Sequence, residues 1–174
     1  MWVFGYGSLI WDGWEKKYCC LRRVVAELPG FRRAFNKASI KNWGTKDRPG
    51  PTLNLEADSS ASCKGIAFEF PEDKHSEVFA YLKKREGGFE FSEQNVTLED
   101  GNTVHALFPV YSGKNLLRGK SLIELAAMAK QAVGDCGRCV DYITNIFVKL
   151  AELGIKDRAV EEFRRALDQT SRDP

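Results

Sequence analysis

The chain has 174 residues, 43% hydrophobic and 29% charged, with 26 lysines and arginines against 24 aspartates and glutamates for a net charge of +2. That length favours a single domain over residues 1–174 that buries roughly 70% of the surface its unfolded chain exposes, so a core forms without disulfides or metals. The interspersed charges lack the one-signed stripe of a nucleic-acid binder, and no apolar run reaches the length of a membrane span.

The N-terminus, Met1-Trp2-Val3-Phe4, lacks the basic leader of a secretory signal. The five cysteines are an odd number and read as reduced thiols in the cytoplasm. Monomer and homodimer both fit this sequence.

In chain order, Trp2 to Phe4 predicts a short strand ended by Gly5 and Gly7. Cys20 to Leu28 is β-compatible, and Pro29-Gly30 signals a turn before Phe31 to Asn36. Lys41 to Pro51 is rich in Asn, Gly, Thr, Asp, Arg and Pro, a loop long enough to suggest function. Thr52 to Glu56 and Lys64 to Phe70 then predict two paired strands joined by a polar turn, Ala57 to Ser62.

From Pro71 to Arg85 the period becomes helical, with Val78, Tyr81 and Leu82 on one face and Gly87-Gly88 as the stop. Glu93 to Leu98 and Thr103 to Tyr111 predict a hairpin around Glu99-Asp100-Gly101-Asn102. The last third is helical. Ser121 and Glu124 form a capping box, and Gly134 is expected to close that helix. A second helix carries Val140, Ile143, Phe147 and Leu150 to Gly154, and a third opens at Asp157 with Val160, Phe163 and Leu167. Strands first and helices later predict an α+β fold.

Two segments stand out chemically. Gly5-Tyr6-Gly7-Ser8-Leu9 follows a strand, where two closely spaced glycines let backbone N–H groups converge on an anion such as a carboxylate or phosphate. A strand-terminal turn without a ligand has the same composition. The loop is neither a Walker loop nor a complete dinucleotide fingerprint, and Ser8 lacks the flanking glycines of a nucleophile elbow. In Arg85-Glu86-Gly87-Gly88, Glu86 falls in the last helical turn, where the negative end of the macrodipole disfavours a carboxylate. Rule-breaking placements of this kind mark functional sites, and the placement pushes a carboxyl pKa upward toward general-base range. A solvated glutamate paired with Arg85 is the plainer alternative.

Cys136-Gly137-Arg138-Cys139 is a C-x-x-C at a helix mouth, a geometry that lowers a thiol pKa, and reads as a redox pair, half a zinc site or incidental cysteines. Cys19 and Cys20 are adjacent on an expected strand and should point to opposite faces, so they do not complete a zinc site. His75 and His105 show no metal spacing and read as structural. Tyr142 lies one turn into its helix, where core packing and a phenol directed into a cleft are both open.

These segments combine into a resemblance. Trp2-Val3-Phe4-Gly5-Tyr6-Gly7-Ser8-Leu9-Ile10-Trp11 is similar to the opening of the ChaC-like γ-glutamylcyclotransferases. Arg32-Arg33-Ala34-Phe35, the loop around Asp47-Arg48-Pro49-Gly50, Thr52-Leu53-Asn54-Leu55-Glu56 and Cys63 to Phe68 follow in that family's order. Ala80-Tyr81-Leu82-Lys83-Lys84-Arg85-Glu86-Gly87-Gly88-Phe89 resembles the family's catalytic segment, and Gly137-Arg138 followed by Tyr142 resembles its late helix motif.

The resemblance implies a small curved mixed β-barrel with surrounding helices, and conversion of a γ-glutamyl compound into 5-oxoproline. In ChaC-like members that compound is glutathione and the released partner is cysteinylglycine. By position, Gly5, Tyr6, Gly7, Ser8 and Leu9 would bind the γ-glutamyl head, Glu86 would be the acid/base residue and Tyr142 would face the substrate. No metal or organic cofactor is implied. The catalytic segment is one residue shorter than the family's usual Arg-Glu-Lys-Gly-Gly-Tyr pattern and ends in Phe89, and Cys139 stands where a polar residue is common. A non-catalytic binding module on the same fold is the rival from another class.

Overall fold

The apolar run that opens the chain forms strand β1 (Trp2–Gly5), with Val3 and Phe4 wholly buried. In the computed structural model, which describes residues 1–170, it is joined by β2 (Arg22–Ser39), β3 (Gly50–Glu69), β4 (Glu90–Leu98) and β5 (Thr103–Val110). The five strands close into a barrel in the order β1-β3-β2-β4-β5. β1 runs antiparallel to β3, with Trp2 opposite Glu69, and parallel to β5, with Trp2 opposite Ala106, so the barrel is mixed. Closure gives each barrel strand a partner on both sides, which limits exposed sheet edge. The α+β fold with a mixed barrel and a helical final third is therefore present.

The chain divides into two compact units. The first comprises Met1–Arg32 and Leu55–Gly113; the second comprises Arg33–Asn54 and the chain from Lys114 onward. In the first unit, helix α1 (His75–Arg85) buries Val78 and Leu82, one turn apart. Glu86 is its C-cap, and the Glu86 N–H donates to the Leu82 carbonyl at 2.8 Å. Gly88, at φ +91, then takes the left-handed turn into β4.

The second unit holds α2 (Leu122–Gln131), α3 (Cys139–Glu152) and α4 (Arg158–Gln169), which pack on one another. The Ser121–Glu124 capping box is present in full. The α3 face buries Cys139, Tyr142, Ile143, Ile146 and Leu150, whereas Phe147 sits at its edge, 37% exposed. Asp157 caps α4: its Oδ1 accepts from the Val160 N–H at 3.1 Å, and its Oδ2 accepts from Arg33 Nη1 at 2.7 Å.

Three expected boundaries differ. Pro29-Gly30 does not end a strand; β2 runs through it, with Gly30 at φ +76 bending the strand and the Pro29 carbonyl accepting from Gln94 Nε2 at 2.8 Å. Nor is Ala57 to Ser62 a turn. It is the exposed middle of the continuous β3, polar because it faces water, with Ser62 bonded to Glu27 of β2. Finally, α2 stops before Gly134, which instead pairs with Gly137 in a small hairpin of β6 (Val133–Gly134) and β7 (Gly137–Arg138). A Cβ on Gly134 would lie 2.4 Å from the Lys41 carbonyl oxygen, so the glycine serves close packing against the 40–49 loop rather than helix termination.

The Arg33 side chain is wholly buried and its charge is met by Asp157. Asp157→Ala removes both this partner and the α4 cap, and should cost about 3–5 kcal/mol in urea unfolding, since breaking one side of a buried pair strands the other charge. A loss below about 1 kcal/mol, the range of an exposed pair, would sink this account.

Candidate active site

Five residues at the end of β1 form the glycine loop, and the loop is held from behind. Gly7, at φ −125 and ψ −131, precedes a single 3-10 turn, Ser8–Ile10. The Gly7 carbonyl accepts from the Ile10 N–H at 3.1 Å, the Leu9 carbonyl from the Trp14 indole at 3.0 Å, and the Ile10 carbonyl from Arg23 Nη2 at 2.8 Å. Two loop carbonyls and that of the next residue, Ile10, are thus occupied by donors of the same unit. Gly5, Tyr6, Gly7 and Leu9 are buried, and Ser8 is half-buried. The neighbouring strand permits this: a Cβ on Gly65 of β3 would lie 2.4 Å from the Gly5 carbonyl oxygen.

Glu86 reaches the loop through its neighbour. The Arg85 side chain, 16% exposed, donates from Nε to Glu86 Oε1 at 3.1 Å and from Nη2 to Ser8 Oγ at 3.3 Å. Its Nη1 donates to Asp12 Oδ2 and to the Tyr81 hydroxyl, the latter at 3.0 Å. Burial disfavours the Arg85 cation, but the Tyr81 bond and the Asp12 and Glu86 charges outweigh it and raise the pKa further. The guanidinium therefore stays charged at any working pH. Tyr81 is in turn stacked on Trp14, with centroids 5.5 Å apart and planes 14° apart.

The structure thus joins two of the segments singled out in the sequence, since Ser8 of the loop and Glu86 share one guanidinium. Tyr142 belongs to the second unit. It is 4% exposed, its hydroxyl oxygen accepts from the Leu53 N–H at 3.2 Å, and its ring lies 5.3 Å from that of Trp43. The sequence reading missed Asp12, Trp14 and the bridging role of Arg85. Tyr81 and Arg85 are four residues apart, a spacing that places them on one helix face, which was a usable signal. The 73 residues separating Arg85 from Asp12 left none.

Of the C-x-x-C readings, the structure fits incidental cysteines. Cys136 is exposed in the β6–β7 turn, its N–H bonded to the Asn42 carbonyl, whereas Cys139 is wholly buried and donates to the Pro51 carbonyl at 3.3 Å. Burial pushes the Cys139 thiol up to about 12, opposite to the lowering expected at a helix mouth. Cys19 and Cys20 precede β2 rather than lie on it, and Cys19 has φ +54. None of the five cysteines forms a disulfide, and among the described residues no group of three or more His, Cys, Asp or Glu is placed to hold a metal ion. His105 lies exposed on β5 beside Glu93 and Asn95.

With the barrel, glycine loop and helix-end glutamate described, comparison gives the class: residues 1–170 match the family model for ChaC-like proteins, and this chain belongs to that family of γ-glutamylcyclotransferase enzymes. It is 32% identical over 173 residues to γ-glutamylcyclotransferase 2-3 of Arabidopsis thaliana, covering 93% of this chain and 85% of the relative. It is 26% identical over 181 residues to glutathione-specific γ-glutamylcyclotransferase 1 of Danio rerio, covering 99% of this chain and 91% of the relative. The crystal structure of a yeast γ-glutamylcyclotransferase specific to glutathione shares the fold, with a TM-score of 0.85 at 18% identity over 97% of this chain and 96% of that one.

Thiol labelling checks the cysteine assignment. At pH 8 a thiol with a pKa near 12 has a thiolate fraction on the order of 10⁻⁴, so native Cys139 should resist iodoacetamide while exposed Cys136 is alkylated. Rapid labelling of Cys139 in folded protein would restore the redox reading.

Proposed function

We propose that this chain converts a γ-glutamyl compound, glutathione first among candidates, into 5-oxoproline and a released amine, which for glutathione is cysteinylglycine. The observation that carries the reading is the Arg85 guanidinium binding Ser8 of the glycine loop and Glu86 together. A substrate head group seated on the loop would be met by a carboxylate whose place is fixed relative to Ser8.

The chemistry asks for little more. The substrate's own α-amine attacks its γ-carbonyl, so holding the γ-glutamyl arm in the attacking conformer contributes up to ~7–11 kcal/mol. The α-amine, mostly ammonium at neutral pH, gives up protons as the new C–N bond forms. The leaving amide nitrogen takes one as the old C–N bond breaks. Of the two protons the ammonium loses, one passes to solvent, and Glu86 accepts the other and returns it to the leaving nitrogen, a role worth about 10²–10⁴-fold. Backbone N–H groups of residues 5–9 hold the α-carboxylate, and donors aimed at the γ-carbonyl oxygen stabilise the tetrahedral oxyanion.

Tyr142 enters the reading as a further substrate contact through the motif it shares with the family. Among the described residues no helix is long and apolar enough to cross a membrane. We place the protein in the cytoplasm because its five cysteines form no disulfide, as thiols persist there.

The test is 5-oxoproline release from glutathione by wild type beside Glu86→Gln, with circular dichroism to confirm folding. The variant, nearly isosteric but unable to accept the proton, should lose about 10²–10⁴-fold in kcat. Equal rates would remove Glu86 from the mechanism. Silence of the wild type across glutathione and a panel of γ-glutamyl amides would favour a binding module. Gly7→Val should raise KM by blocking close backbone approach to the substrate, and normal KM in a folded variant would refute the loop's role.

A further inference from the structure

Arg85 has no part in the proton transfers above, yet it touches Ser8, Asp12, Tyr81 and Glu86. We propose that Arg85 is a positioning residue for the cyclisation, fixing the Glu86 carboxylate in register with Ser8 and keeping it ionised. The proposal rests on Glu86 being the proton-transfer group.

The geometry supports it in three ways. First, Glu86 caps the C-terminus of α1, where backbone carbonyls repel a carboxylate, and Arg85 sets a cation directly against it. Second, a guanidinium is a planar fork with donors at fixed angles, so one rigid group sets the separation of Ser8 from Glu86; a lysine ammonium would be a point charge without that constraint. Third, arginine only donates. Ser8 Oγ must accept from it, so the Ser8 hydroxyl proton is directed elsewhere, suited to an acceptor oxygen of a γ-glutamyl head.

The fork is itself braced. Asp12, from the segment after the 3-10 turn, and Tyr81 of α1 hold Nη1. Tyr81 stacks on Trp14, whose indole returns to the Leu9 carbonyl. Just past β5, Tyr111 packs against Phe89, with centroids 5.3 Å apart. The charged and titratable groups that meet at the Arg85 guanidinium are thus Glu86, Asp12 and Tyr81.

The experiment compares wild type, Arg85→Gln, Arg85→Lys and Asp12→Asn, measuring kcat and KM for 5-oxoproline release against pH. In parallel, the Glu86 carboxyl is titrated by ¹³C NMR, its signal assigned by loss in Glu86→Gln. Loss of the cation destabilises ionised Glu86. Arg85→Gln should therefore move both the acidic limb of kcat and the NMR titration to higher pH by about one unit or more. Arg85→Lys should leave the limb near its wild-type place while kcat falls about tenfold or more, because displaced reacting groups lose rate with the charge intact. Asp12→Asn, on a 39% exposed side chain, should lower kcat by a smaller factor.

A folded Arg85→Gln with wild-type kcat, acidic limb and Glu86 titration overturns the proposal. If Arg85→Gln does not fold, Arg85→Lys and Asp12→Asn decide, and wild-type kinetics in both overturn it. Should the wild type turn over no γ-glutamyl compound, the functional reading fails, and the NMR titration alone still answers whether Arg85 governs the charge on Glu86.

Discussion

The end of a helix repels negative charge, and the first unit places the Glu86 carboxylate there. Glu86 caps α1, where a cation beside it offsets the negative end of the helix dipole. Arg85 is that cation, and its surroundings hold it in place. Tyr81 sits one turn earlier to accept from it, Trp14 stacks on Tyr81, and the Trp14 indole fastens the glycine loop. A loop at the end of a strand and a residue at the end of a helix are thereby tied by side chains rather than by backbone.

The second unit solves a different problem with the same kind of interaction. Arg33 lies on a barrel strand with no exposure, and its cation is matched by the carboxylate that also caps α4. One side chain thus satisfies an orphan helix N–H and a buried charge. Two nearby contacts hold the start of β3 to α3: Cys139 donates to Pro51, and the Tyr142 oxygen accepts from Leu53. Cys139 therefore serves as a small buried donor, and burial outweighs the thiolate-stabilising influence of the helix start.

The sequence made legible whatever depends on near neighbours. The capping box at Ser121, the cap at Asp157, the β4–β5 hairpin and the position of Glu86 at its helix end are all set within a few residues. Pairing between distant strands was not legible, and it overrode the local signals. Pro29-Gly30 and the polar run from Ala57 to Ser62 look like turns in isolation, but β2 and β3 lie side by side and carry each other through them. The bridge from Glu86 to the glycine loop was hidden for the same reason. Its ends, Arg85 and Ser8, are 77 residues apart, and nothing in the composition of either segment announces the other.

The path of β2 and β3 through both units bears on how the protein is made. Neither unit is a continuous stretch of chain: the first closes when Trp2 meets Ala106, and the second joins Arg33 to Asp157. Leaving the ribosome from its N-terminus, the chain displays two long strands before the helices that complete the second unit have been synthesised. Topologies dominated by such distant pairings fold slowly and leave strand edges open in the interval. Each unit therefore waits for residues far along the chain, Ala106 for the first and Asp157 for the second.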